Sequence, residues 1–166
     1  MLQVKERQMV KENNQIKSLP EEWKIGTLND LCDIVTDICQ PNNCALSVYV
    51  GLEHIDSGAY FLNRYGSPKE VISSKNTFIK NDILYGKLRP YLDKAIIANF
   101  DGICSTDILV FRPKENVPSL FLLSILHSKR FIEYANQTTH GVNHPRTSWK
   151  SLQFFELGIP PLSEQL

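Results

Sequence analysis

The sequence predicts an α+β domain with an irregular, turn-rich β body and a smaller helical part. Three observations carry this. A chain of 166 residues with 42% hydrophobic content can bury one proper core and sits near the usual size of a single domain. Its middle holds short segments rich in β-branched and aromatic residues, punctuated by Gly, Asn, Asp or Pro. From residue 115 onward the apolar positions change from a strand-like to a helical period.

Residues 1–18 are polar and mixed in charge; Leu2, Met9 and Ile16 are spaced by sevens with no second apolar row, so they read as an arm or the end of a helix. LPEEW, residues 19–23, opens the domain with a turn or short helix start, and Trp23 is its first large anchor. Strands are expected in 46–55, 82–88, 94–100 and 107–113, with a loop between the first two marked by Gly58, Gly66 and Pro68. DGICSTD, residues 101–107, reads as a glycine-containing turn that brings two strands back on each other. In 115–137, Pro118 suits a first helical turn, and Leu122, Ile125, Leu126, Phe131, Ile132 and Ala135 give apolar faces for one kinked helix or two short ones. The span 138–149 is too polar for a core and reads as an exposed loop. One more strand is expected within 152–162, before the Pro160–Pro161 stop and a final helix start at 163–166.

Composition narrows the function classes. Eighteen Lys and Arg against eighteen Asp and Glu give a formal net charge of zero, so only a local cluster could signal a nucleic-acid partner. Four cysteines without a C-x-x-C pair, and a charged amino terminus, point to reduced thiols in a cytoplasmic protein. No apolar run approaches the ~20 residues that would cross a bilayer. Nucleotide hydrolysis lacks a phosphate loop, methyl transfer lacks a glycine-rich cofactor loop, and the acidic residues are scattered rather than clustered for Mg²⁺. His140 and His144 stand four apart, but Gly141 and Pro145 argue against the helix that would align them for a metal. The expectation is therefore a non-enzymatic chain with no cofactor and no metal. Cys32 and Cys104 read as small buried apolar residues, and Cys39 and Cys44 flank the polar turn QPNN.

The ordered set LPEEW, YVGLEHID, DILYGKLRPYLDKAIIANFDGICSTDILVFRP, HGVNHPRTSW and IPPLSEQ resembles the target recognition domain of type I restriction-modification specificity subunits, over residues 19 to 165. DILYGKLRPYL with FDGICSTD is the most specific part of the resemblance, and IPPLSEQ resembles that family's exit into a spacer helix. The resemblance implies a recognition domain over 19–162 and the start of a spacer helix at 163–166. It implies a fold similar to that of type II adenine methyltransferase recognition domains. It also implies a non-catalytic role: reading one half of a bipartite site in double-stranded DNA and directing methyltransferase and restriction/translocase subunits to it. Because the sequence stops at Leu166, half a subunit at most is expected, completed by a second recognition domain or by self-association. The competing reading is a decayed, half-length protein that binds methyltransferase subunits without reading DNA.

Candidate contacts follow from residue chemistry. Lys87 and Arg89 lie two apart on a segment read as extended, so both face one side while Leu88 faces the core, and Pro90 ends ladder pairing beyond them. They, with Lys75 and Lys150, are the candidates for the phosphate backbone; the structural alternative for Lys87 and Arg89 is pairing with Asp82 or Asp93. Base reading is expected from the exposed loops 36–43, 63–70 and 138–149, where Asn and Gln suit adenine and Arg suits guanine. This nominates Asn42, Asn43, Arg64, Asn143 and Arg146.

Overall fold

A computed structural model describes residues 19–166; the arm expected at 1–18 lies outside them. Along the chain run β1 (Lys24–Thr27), α1 (Leu28–Leu31), β2 (Cys32–Val35), β3 (Ile38–Cys39), β4 (Tyr49–Val50), β5 (Lys75–Phe78), β6 (Ile83–Gly86), β7 (Ala95–Ile97), β8 (Gly102–Cys104) and β9 (Ile108–Pro113). They are followed by α2 (Ser119–Leu126), α3 (Lys129–Gln137), α4 (Trp149–Leu152), β10 (Glu156–Ile159) and α5 (Leu162–Gln165). Short 3-10 turns occupy 41–43, 52–54, 68–70 and 90–92.

The central sheet has the order β2-β9-β6-β7, and both of its faces are covered. Alternation along its strands sorts the side chains between two cores. Ile83, Tyr85, Ala95, Ile97 and Phe111 face a core completed by Leu122, Leu123 and Leu126 of α2 and by Phe131 and Ala135 of α3. Leu84, Ile96, Ile108 and Val110 face a second core shared with Val50, Phe78 and Cys104 of the other four-stranded sheet, ordered β3-β5-β8-β4. Burial on both faces explains why these strands read as unbroken apolar runs. Phe131 ties α3 to the sheet, meeting Phe155 edge-on at 5.0 Å and Tyr85 at 5.7 Å between ring centroids, contacts worth on the order of 0.5–1.5 kcal/mol each beyond area burial. Every ladder is antiparallel except β4 with β8.

Three expectations change here. DGICSTD is not a hairpin turn: residues 102–104 form β8, which leaves the central sheet and pairs with β5 and β4, while β6 lies between β7 and β9. Gly102 permits this crossing, because a Cβ there would sit 2.6 Å from the Phe78 ring and 2.9 Å from the Val48 carbonyl oxygen. The segment 46–55 is strand only at 49–50 and then turns through 52–54. The run 115–137 resolves into two short helices, with Pro118 preceding α2 as its N-cap, His127 closing it, and the Ser128 hydroxyl capping α3 by accepting from the Phe131 N–H at 3.2 Å. The late strand is confined to 156–159, since 149–152 is helical.

β1 pairs with β10 over four residues, from Lys24 against Ile159 to Thr27 against Glu156, so the chain enters and leaves the domain side by side. The Trp23 indole N–H reinforces this by donating to Glu164 of α5 at 3.0 Å.

Candidate nucleic-acid interface

β6 ends at Gly86, and the backbone then departs from the expected alternation. Lys87 and Leu88 remain extended enough for their neighbours to bond across, but Arg89 is left-handed at φ 50°, Pro90–Leu92 form a 3-10 turn, and Asp93 is left-handed again at φ 51°. A non-glycine residue in this region costs on the order of 1 kcal/mol, so the turn must be held from outside. It is: His127 Nδ1 lies 2.6 Å from the Asp93 carboxylate, His127 Nε2 lies 2.9 Å from the Ala59 carbonyl, and the Gly58 N–H donates to the Asp93 carbonyl at 2.9 Å. The same contacts answer the structural alternative for the basic pair. Asp93 is engaged by His127, and Asp82 by the Arg112 guanidinium through bonds of 2.9 and 2.8 Å; neither accepts from Lys87 or Arg89.

The structure brings the segment 87–89 together with the loop 138–149. The Lys87 N–H donates to the Asp107 carbonyl at 2.9 Å, the Thr147 N–H to the Lys87 carbonyl at 3.1 Å, and the Arg89 N–H to the Pro145 carbonyl at 2.8 Å. His140 and Arg146 exchange two backbone bonds of 2.9 and 3.0 Å, closing the tip 141–144, and the Thr138 and Thr147 hydroxyls meet at 2.8 Å. Arg146 does not present a free fork: its Nε and Nη2 donate to the two Asp107 carboxylate oxygens at 2.7 and 3.2 Å. That hydrogen bonding, aided by the charges of Arg146 and Lys87, holds the Asp107 carboxyl below the usual range against a partial burial that pushes the other way. Arg89 is exposed, its guanidinium touching only the Asn143 carbonyl at 3.3 Å. Asn143 is exposed, its side chain making no hydrogen bond among the described residues, and Lys150 is exposed on α4 shortly beyond. Lys87, Arg89 and His140 thus lie on the segments that meet at the base of this tip, with His144 in the tip itself. That local cluster is invisible in a net charge of zero.

A second locale gathers the other two loops. Asn42 and Asn43 are exposed on the 3-10 turn 41–43, beside a hydrogen bond that the Gln40 side-chain amide donates to the Ser74 hydroxyl at 2.6 Å. With Cys44, Leu46, Ser47, Ser67, Pro68 and Lys69, residues 41–42 line a cleft of about 540 Å³. Burial and the neighbouring Cys44 thiol raise the Cys39 thiol to about 11. Arg64 is exposed but paired with Asp56 at 2.6 Å. Lys75 departs from expectation: it is 6% exposed, and its ammonium donates inward to the Ser73 carbonyl and hydroxyl at 2.8 and 2.6 Å. As the first residue of β5, with its stem covered, it is a buried structural lysine rather than a surface cation. Cys32 and Cys104 are fully buried, and burial raises the Cys32 thiol to about 12.

Sequence reasoning missed the role of Asp107, which fixes Arg146 from 39 positions away, and it missed the tip residue Val142. Neither has a local sequence signal; only the cationic flanks of the tip were readable. Among the described residues no group of three His, Cys, Asp or Glu could hold a metal ion, and no helix is long and apolar enough to cross a membrane.

The architecture is that of the domains found in type I restriction-modification specificity subunits. The chain superposes with TM-score 0.74 on the HsdS subunit from Thermoanaerobacter tengcongensis, at 23% identity over 91% of this chain and 41% of that one. It superposes equally well, at 24% identity over 89% of this chain and 40% of that one, on a chain from a study of complex assembly and conformational transition in the type I R-M system. The family model for the type I restriction modification DNA specificity domain matches residues 20–166, and the chain belongs to that family. It is 29% identical over 155 residues to the type I restriction enzyme EcoDI specificity subunit of Escherichia coli, covering 92% of this chain and 34% of that subunit. The chain therefore spans about a third of the length of that relative.

Proposed function

We propose that this chain is a non-catalytic, sequence-specific DNA-recognition domain that reads one half of a bipartite target and directs methyltransferase and restriction/translocase subunits to it. The observation that carries the reading is the convergence of two separately nominated segments, 87–89 and 138–149, into one cationic junction within a chain that matches the specificity-domain family. In this reading Arg89, Lys87 and Lys150 contact phosphates. Asn143, and Asn42 and Asn43 at the second locale, face base edges, where an amide can bond both N6 and N7 of adenine. Arg64 reaches a base only by leaving Asp56, an exposed pair of small energetic worth. One domain supplies one half-site, so binding by the chain alone is weak, and a second recognition domain or a second copy adds affinity through effective concentration.

The test is co-expression with type I methyltransferase subunits from the same source, followed by mapping of methylated adenines across the host genome. The reading expects methylation at one defined motif, lost when the chain is omitted. Methylation that is independent of the chain refutes it, as does transfer of methyl groups by the chain alone.

A further inference from the structure

We infer that the tip 141–144, carried on a braced stem, is a probe for the major groove, with Val142 contacting a thymine methyl group and Arg146 serving as the strut that positions it. The inference rests on the DNA-reading role proposed above and deepens it.

The stem of this loop is over-determined. Its two sides are joined by the His140–Arg146 bonds, it is tied to the 87–89 segment by two backbone bonds, and it is braced from β9 by the double contact of Arg146 with Asp107. The tip is the opposite. All four of its residues are exposed, none of their backbone N–H groups donates within the described residues, and Val142 is 97% exposed. Gly141 sits at φ 97°, a conformation that lets the chain reverse without a Cβ clashing against the His144 backbone, 3.1 Å away.

A single exposed valine is ordinary on a protein surface. This one, however, is held at the end of a loop closed by the single His140–Arg146 bridge, beside Arg89, whose guanidinium donates to the Asn143 carbonyl at 3.3 Å. A loop closed by one antiparallel bridge is no wider than the two-stranded ribbon that the major groove admits, and the Arg89 cation beside it matches the phosphates that line that groove. The one group in the major groove that prefers an apolar side chain is the thymine C5 methyl. Arg146 was the natural candidate for guanine, yet the Nε–Nη2 edge of its fork is bonded to Asp107 and its Nη1 donates to the His144 carbonyl at 3.3 Å; it acts through the tip instead.

The experiment is a binding titration of the full chain, assembled with its methyltransferase subunits, on the target duplex and on duplexes in which each thymine of the half-site is replaced in turn by deoxyuridine, which lacks only the methyl. For the wild type, one replacement is expected to weaken binding about fourfold, the loss of one buried methyl. Val142→Ala should bind the target more weakly by a similar factor and be indifferent to that same replacement. Asp107→Asn, which releases the strut, should blunt the discrimination at that thymine while Val142 remains. Wild-type indifference at every thymine overturns the inference, as does a Val142→Ala variant with undiminished sensitivity. If the wild-type assembly prefers no sequence at all, the DNA-reading role itself fails, and that outcome is separable from the others.

Discussion

Replacement of Arg89 separates positioning on the phosphate backbone from the reading of bases. Arg89 is exposed and its guanidinium holds only one bond, 3.3 Å from the Asn143 carbonyl, so it can turn to a phosphate at little cost. One phosphate contact releases its condensed counterion, and loss of that contact lowers the slope of log affinity against log salt by about 0.9. Between 50 and 200 mM salt, a fourfold change, the wild type should therefore lose about 3.5 times more affinity than Arg89→Ala. The weakening should be the same for cognate and mismatched duplexes, because a phosphate carries no sequence. Alanine at φ 50° retains the cost of a left-handed backbone, so Arg89→Gly, free of that strain, is the companion variant, and Arg89→Lys should restore the slope. The assay is a fluorescence titration of the assembled complex on a cognate and a scrambled duplex at four salt concentrations, after thermal melts establish that each variant is folded. An unchanged slope in both charge-removing variants, or a loss confined to the cognate duplex, refutes the assignment of Arg89 to the backbone.

Two further predictions concern the scaffold. Arg112→Ala leaves the Asp82 carboxylate, 1% exposed, with only the Ile79 N–H as donor; stability in urea should fall by about 3 kcal/mol, the lower end for a broken buried pair because Arg112 is itself partly exposed. Asp82→Asn should cost less, and a larger loss in Asp82→Asn than in Arg112→Ala would refute this account. The Asp107 carboxyl is held below its ordinary value by Arg146, so its contribution is full above the unfolded value of about 3.9 and is lost as pH falls through the lower folded value. The gap in thermal stability between wild type and Asp107→Asn should therefore stay constant from pH 7 to about 5 and narrow only below about 4; narrowing already between pH 7 and 5 would contradict the depressed carboxyl.

What could be read from the sequence depended on how local each signal was. β6, β7 and β9 were legible because their residues are buried on both faces, giving the runs ILY, AII and ILVF. β5 was not: KNTF places one large apolar side chain, Phe78, in the core, while its first residue is a lysine that satisfies its own charge on Ser73. β8 looked like a turn because glycine, aspartate and serine dominate its surroundings, and only the close approach of Phe78 reveals why Gly102 is in a strand. The span 138–148 was legible as a loop, whereas 36–43 hides β3 at 38–39, too short to show an alternation, and the state of each charged residue in these segments was not legible. Whether Arg146 is free depends on Asp107, and whether Arg64 is free depends on Asp56. A partner across the fold leaves no mark on the residues beside it.

The ladder between β1 and β10 brings positions 24 and 159 opposite each other. A body whose two ends are joined by one ladder behaves like a cartridge: anything attached at those ends would need to meet only one narrow collar, formed by four residue pairs and the Trp23–Glu164 contact. The residues proposed to face DNA, from Asn42 to Lys150, lie between the two sides of that collar. Exchange of the segment 28–155 between two relatives should thus transplant recognition whole, leaving the surfaces outside the collar undisturbed. Selection could then act on the body between the two strands as a single heritable unit, even though its own strands are drawn from distant parts of the chain.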